Sequence, residues 1–181
     1  MRLPFRQPRS RSSSRPNRRP GGFTLFELAV VVLIIGIAAA ALVAAVGGDI
    51  RSSRLSIAAN VLASDIEFCQ GECINRPDTP RQITFDLTNN KYSVQVKSSG
   101  TTINHPADGL PFINDFATGR NAQLSGVTLS GLKMGSGSLN VLTFDSYGRP
   151  SITADFVVTL GYNGQAMKVT VKQTTGDVSI Q

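Results

Sequence analysis

Histidine is almost missing from this chain: His105 is the single one in 181 residues. Cysteine is scarcely commoner, with only Cys69 and Cys73. A lone histidine without a recognisable serine or cysteine partner forms no catalytic constellation. Two cysteines with no histidine nearby make a poor metal site. Neither a phosphate-binding P-loop nor a dinucleotide-binding glycine pattern occurs. An enzyme therefore has no residues to rest on, and no cofactor or metal is expected. Other absences are local. No acid occurs before Glu27, no proline between Pro20 and Pro77, and no charge of either sign from Leu28 to Gly48. The first gap marks a basic tail, the second permits a long helix, and the third contains an apolar run of membrane length.

That run is the centre of the sequence. Residues 23–46 are 24 positions, about 36 Å of helix at ~1.5 Å per residue. A hydrocarbon core is roughly 30 Å thick. Glu27 lies near its start, and a carboxylate at depth costs on the order of 2.5–3.5 kcal/mol on insertion scales, so it needs a reason. Residues 1–22 carry seven arginines (Arg2, Arg6, Arg9, Arg11, Arg15, Arg18 and Arg19) and no acid. Such a segment buries too little apolar surface to fold. Its charge beside an apolar span predicts a cytoplasmic N-terminus. The whole chain has 18 basic and 12 acidic residues; without the seven arginines, 11 basic face 12 acidic, a net charge of −1. The basic character belongs to the tail.

Gly22, then Phe23-Thr24-Leu25-Phe26-Glu27 and a long apolar helix, resembles the prepilin cleavage and methylation motif of type IV pilins and type II secretion pseudopilins. The resemblance implies that a membrane-embedded prepilin peptidase cuts between Gly22 and Phe23 and N-methylates Phe23. Cutting after Gly22 places Glu27 at mature position five; cutting after Gly21 places it at six. The chain departs from the usual pattern in that Pro20-Gly21 separate Arg18-Arg19 from the cut. Pro20 disfavours helix in the residue before it, which keeps the junction extended and accessible. Cleavage also creates an α-amine with a reference pKa near 7.7–8.0. Glu27 of one subunit is then expected to pair with the amine of a neighbour, since an unpaired buried charge is the costly state. A twin-arginine or ordinary secretory signal, cut around Ala38 to Ala45, is the competing interpretation. The length of the run and the acid within it argue against that.

Downstream, Ile50, Leu55, Ile57, Ala58, Val61, Leu62, Ile66 and Phe68 recur near helical periodicity. One helix is expected from Phe23 to about Asn75, with a soft point at Gly47-Gly48 and an end forced by Pro77 and Pro80. Strand patterns follow at 82–87 and 92–96 around an Asn89-Asn90 turn, then at 139–145, 152–162, 167–172 and 178–180. Turns are expected at 147–150, 163–164 and 175–176, and residues 98–125 read as a polar loop. The predicted fold class is α+β. It comprises a leader at 1–22, a transmembrane or filament-core helix at 23–46, its amphipathic continuation at 47–75, and a β-rich domain at 76–181 with an antiparallel sheet under the helix. No second globular domain and no internal repeat is evident.

This layout resembles the minor pseudopilin H/FimT family, through Ala58-Ala59-Asn60, Asp65-Ile66-Glu67-Phe68, Ile83–Leu87 with Asn89-Asn90-Lys91-Tyr92, and Thr143-Phe144-Asp145 with Gly148. It implies a pilin-like fold and a subunit of a type II secretion pseudopilus. The subunit is anchored in the inner membrane, with its C-terminal domain outside the cytoplasm and other pilins or pseudopilins as partners. A type IV minor pilin serving adhesion or DNA uptake is the alternative, and an ordinary secreted β-rich protein the third. Cys69 and Cys73 share a helix face. They are read as buried small hydrophobes or, after export, as a disulfide, although a straight helix presents that pair poorly. Asp145-Ser146-Tyr147-Gly148 lacks the spaced acids of a calcium loop. From Gly126 onward, Lys133, Arg149, Lys168 and Lys172 face Asp145, Asp155 and Asp177, a net charge too small to favour nucleic acid as a partner.

Overall fold

The structure is a computed structural model describing residues 24–137 and 139–181, with no side-chain description for 42–52. The leader and the scissile Gly22–Phe23 bond lie outside the described residues. The chain divides into two compact units, Met1–Leu42 and Val43–Gln181. Helix α1, Leu25–Asn75, contributes to both.

In the first unit, every described side chain from Thr24 to Ala41 is exposed. Among the described residues, no helix is long and apolar enough to cross a membrane. The predicted span at 23–46 extends past them at both ends, since Phe23 and the side chains of 42–46 lie outside the described residues.

In the second unit, α1 buries Leu55, Ala58, Ala59, Leu62, Ile66, Cys69 and Cys73, each 2 % exposed or less. Spacings of three and four place these residues along one stripe. Gly47-Gly48 lies inside α1, whose end at Asn75 falls where the sequence predicts. Pro77 biases Arg76 away from helical dihedrals, and a short turn closes with the Thr79 N–H on the Arg76 carbonyl at 3.1 Å.

Among the described residues eight strands follow: β1 Arg81–Asp86, β2 Lys91–Val96, β3 Ile113–Asp115, β4 Thr128–Met134, β5 Val141–Thr143, β6 Phe156–Tyr162, β7 Gln165–Val171 and β8 Val178–Ile180. They form two four-stranded sheets, β3-β2-β1-β5 and β4-β6-β7-β8, and every pairing within them is antiparallel. The sequence predicts one sheet and misses β3 and β4. In β4, Gly131 and a register shift between Leu129 and Gly131 break the alternation, so the two buried leucines, Leu129 and Leu132, lie three apart rather than two. The expected strand from Ile152 begins only at Phe156.

Phe85 of one sheet and Phe156 of the other meet at 5.6 Å between ring centres. Asn90, in the left-handed conformation at φ 53°, ties the β1–β2 turn to the second sheet. Its amide donates to the Val127 carbonyl at 2.8 Å and accepts from the Leu129 N–H at 2.6 Å. The 98–125 segment is anchored: Phe112 and Phe116 are buried, and a 3₁₀ turn occupies Gly119–Leu124.

Two turns close on Gln70 of α1. Its side-chain amide donates to the Gly148 carbonyl at 2.7 Å. A Cβ at Gly176, where φ is +78°, would stand 2.6 Å from Gln70 Nε2 and 2.8 Å from the Gly148 carbonyl oxygen. Gly176→Ala therefore combines a disfavoured backbone conformation with a clash against backbone, and we expect a loss of about 2 kcal/mol or more. Urea unfolding of the variant checks this, and a loss under ~0.5 kcal/mol means that the turns are free to move apart.

Candidate functional site

Thr24 begins α1 as its cap. Its hydroxyl accepts the Glu27 N–H at 3.2 Å, and its carbonyl accepts the Leu28 N–H at 3.1 Å. Thr24-Leu25-Phe26-Glu27 thus has the sequence of a capping box, with an acid in the first turn where the helix dipole favours negative charge. That local role is missing from the sequence reading, although the T-x-x-E spacing signals it. Glu27 itself is exposed. Its predicted amine partner lies outside the described residues, with Phe23.

Cys69 and Cys73 are free, buried thiols. The disulfide considered from the sequence is not formed. One helical turn separates the two residues, and Cys73 Sγ is engaged with Arg81, accepting its N–H at 3.2 Å. Hydrogen bonding from Cys69 lowers Cys73 to about 7, helped by the Arg81 N–H and opposed by burial. The same contact, with burial, pushes Cys69 upward. Asp145 holds a turn: its carboxylate accepts the N–H groups of Tyr147 and Arg149 at 2.9 and 2.8 Å.

The densest polar arrangement lies where β2, β3 and the 98–125 segment meet α1. Asp65 occupies the buried stripe at 8 % exposure. Its Oδ2 accepts from the Tyr92 hydroxyl at 2.6 Å and from the Asn114 amide. The Asn114 carbonyl oxygen in turn accepts from Asn121 Nδ2 at 3.1 Å and from Arg120 Nη1 at 3.3 Å. Arg120 grips Asp108 through Nε at 3.0 Å and Nη2 at 2.7 Å, with its guanidinium 5.9 Å from the centre of the Phe112 ring. His105 packs edge-on against Phe112 at 4.3 Å and accepts the Ala107 N–H on Nδ1 at 3.1 Å. The neutral ring therefore carries its proton on Nε2. Around this network lies an open cleft of about 500 Å³, lined by Ile57, Val61, Asp65, His105, Asn121 and Gln123 among others.

Burial raises Asp65 to about 6, against the pull of Tyr92, Arg120 and Asn114. Burial lifts Tyr92 well above its ordinary value, and the Asp65 charge adds to this. Burial, then Arg120, lowers His105, and Arg120 holds Asp108 below the usual carboxylate range. Only Asp65 on the apolar stripe, between Leu62 and Cys69, signals this network in the sequence. Pairing it with residues 27, 49 and 56 positions away needs the tertiary structure.

Residues 17–43 match the family described as the prokaryotic N-terminal methylation motif. In structure, the chain is similar to the type IV minor pilin FimU of Pseudomonas aeruginosa, with TM-score 0.51 and 18% identity over 72% of this chain and 90% of that one. The minor pseudopilin EpsH of the type II secretion system of Vibrio cholerae is similar at TM-score 0.50 and 14% identity, over 71% of this chain and 93% of that one. The fold is pilin-like. No curated protein matches the sequence. At these identities the likeness is of fold, carried by a chain that also has the methylation motif.

The Asp65 network of this pilin-like domain makes stability depend on pH. A carboxyl raised by folding favours the protonated native state, so its contribution is full below the unfolded value of 3.8 and is lost as pH rises through about 6. The full excursion corresponds to about 3 kcal/mol. Unfolding free energy should fall between pH 4 and pH 7, and Asp65→Asn should flatten that fall while keeping the Tyr92 and Asn114 bonds. An unchanged slope in the variant assigns the titration elsewhere.

Proposed function

We propose that this chain is a minor pseudopilin, a non-catalytic subunit of a type II secretion pseudopilus. It is cut between Gly22 and Phe23 by prepilin peptidase, methylated on Phe23 and assembled with other pseudopilins. The observation that carries this is the first unit of α1. From Leu25 to Ile37 its large apolar side chains are exposed, Leu25 at 86 % and Ile37 at 65 %, and the single charge among them is Glu27. A surface of that kind calls for lipid before assembly and for neighbouring helices after it. In this reading the protein sits in the inner membrane with its arginines cytoplasmic and its β-domain outside. Glu27 sets assembly register by pairing with the Phe23 amine of the next subunit.

A type IV minor pilin is the second reading, favoured by a fold likeness to FimU no weaker than the likeness to EpsH. Its DNA-uptake form has little to draw on. Lys172 is tied to Asp155 at 2.6 Å, and Arg120 is tied to Asp108.

Two measurements test the proposal. The mass of the protein purified from membranes should correspond to a chain starting at N-methyl-Phe23, and retention of residues 1–22 contradicts processing. Glu27→Ala should leave membrane insertion intact and reduce methylation or filament incorporation; normal behaviour in both removes the role of Glu27. Deleting the gene separates the two readings: loss of secreted proteins with pili intact supports the pseudopilus, and loss of pili with secretion intact supports the type IV pilin.

A further inference from the structure

We propose that the cleft beside Asp65 binds a primary ammonium on an aliphatic stem, specifically the lysine side chain of a partner polypeptide. Three observations lead there, none depending on the filament reading.

The first is an open acceptor. Asp65 Oδ2 is fully used by Tyr92 and Asn114, while no described residue donates to Oδ1. The described side-chain polar atom shut from solvent without a hydrogen bond is Arg81 Nε, which lies 3.6 Å from Glu72. Asp65 Oδ1 is not of that kind, so it meets the open space of the cleft that its residue lines.

The second is charge. Arg120 also lines the cleft and pulls Asp65 toward its charged form, but Asp108 engages its Nε and Nη2, and His105 is held toward its neutral form. Once Asp65 ionises, Asp65, Arg120 and Asp108 together sum to one negative charge. Tyr92 stays protonated, donating to Asp65 and accepting from the Asn114 amide at 3.0 Å.

The third is shape. Ile57 and Val61 of α1 line the cleft together with Asp65, apolar side chains suited to a lysine stem, and Asn121 and Gln123 in the same lining offer amides to a peptide backbone. A guanidinium fits less well, because its planar fork seeks both oxygens of a carboxylate. Here one oxygen is already occupied. An ammonium needs only a point acceptor.

The test is a titration of the ¹⁵N-labelled full chain in detergent micelles, following the side-chain amide signals of Asn114 and Asn121. The probes are Nα-acetyl-lysine N-methylamide, its arginine and norleucine counterparts, and n-butylammonium. At pH 7 the lysine compound should saturate the shifts, with the norleucine and arginine compounds at least about tenfold weaker. Asp65→Asn keeps an oxygen for Tyr92 and Asn114 but presents an NH₂ to the cleft, so lysine binding should disappear. In the unmodified chain, affinity should drop about tenfold from the high-pH plateau to pH 5, as Asp65 takes up its proton near 6. That arm decides the matter if the variant fails to fold. Equal binding of norleucine, equal binding of arginine, retained binding by Asp65→Asn, or a flat pH profile each overturns the proposal. n-Butylammonium binding as tightly as the lysine compound overturns the polypeptide source.

Discussion

The second unit depends on one stripe of α1. Leu55, Ala58, Ala59, Leu62, Ile66, Cys69 and Cys73 are the residues on which both sheets close. Four of the seven, Ala58, Ala59, Cys69 and Cys73, are small, and Leu55, Leu62 and Ile66 supply the volume of the stripe. Small residues bury little area each, so stability here comes from packing without voids rather than from large side chains on the helix. The bulk is supplied from the sheets by Phe85, Tyr92, Phe144 and Phe156, each 2 % exposed or less. Enlarging the stripe drives these rings apart, and shrinking them leaves cavities that a rigid helix cannot close. Gln70, beside the stripe, carries the same constraint to the turns at Gly148 and Gly176.

Asp65 is the exception on that stripe. An apolar residue there would pack without any desolvation cost. The acid instead gathers Tyr92 from β2 and Asn114 from β3, and through Asn114 it reaches Asn121 and Arg120 of the 98–125 segment. The members of a buried polar network are coupled: Asp65 Oδ2, Tyr92, Asn114 and Asn121 bond to one another, and removing one leaves its neighbours unpaired. The segment that reads in the sequence as a polar loop is therefore fixed from two sides. The network holds its inner face, and Phe112 and Phe116 enter the core.

The long helix and its end at Asn75, the β1–β2 hairpin and the closing strands were legible because each has a local cause. Pro77 stops the helix, Asn90 takes a positive φ, and alternation marks the strands. The division into two sheets was not legible. It rests on non-local facts: β5 pairs with β1 across more than fifty residues, and β4 hides its alternation behind the bulge at Leu129–Gly131. The candidate cleft was illegible for the same reason. Asp65, Asn114 and Arg120 acquire meaning only once α1, β3 and the 3₁₀ turn are adjacent. The methylation motif lies at the opposite extreme, written in consecutive residues and so legible without the fold.

Glu27 brings local and non-local demands together. Within one chain its backbone N–H caps on the Thr24 hydroxyl, a bond any residue can make, and its acid adds a charge that the helix dipole favours in the first turn. A cap of that kind works equally well beside water, and it gives no reason for the acid to stand among the exposed apolar side chains of residues 25–37. In the proposed filament the two demands coincide. Pairing with the Phe23 amine of a neighbour needs a carboxylate held at a fixed point on the first turn, and the cap supplies that fixed point by tying the Glu27 backbone to Thr24. Moving the acid by one residue keeps the charge near the helix N-terminus, where the dipole still favours it. It also rotates the carboxylate by about 100° around the axis, given ~3.6 residues per turn, and breaks the T-x-x-E spacing. A role through helix stability alone tolerates that shift, whereas register between subunits does not.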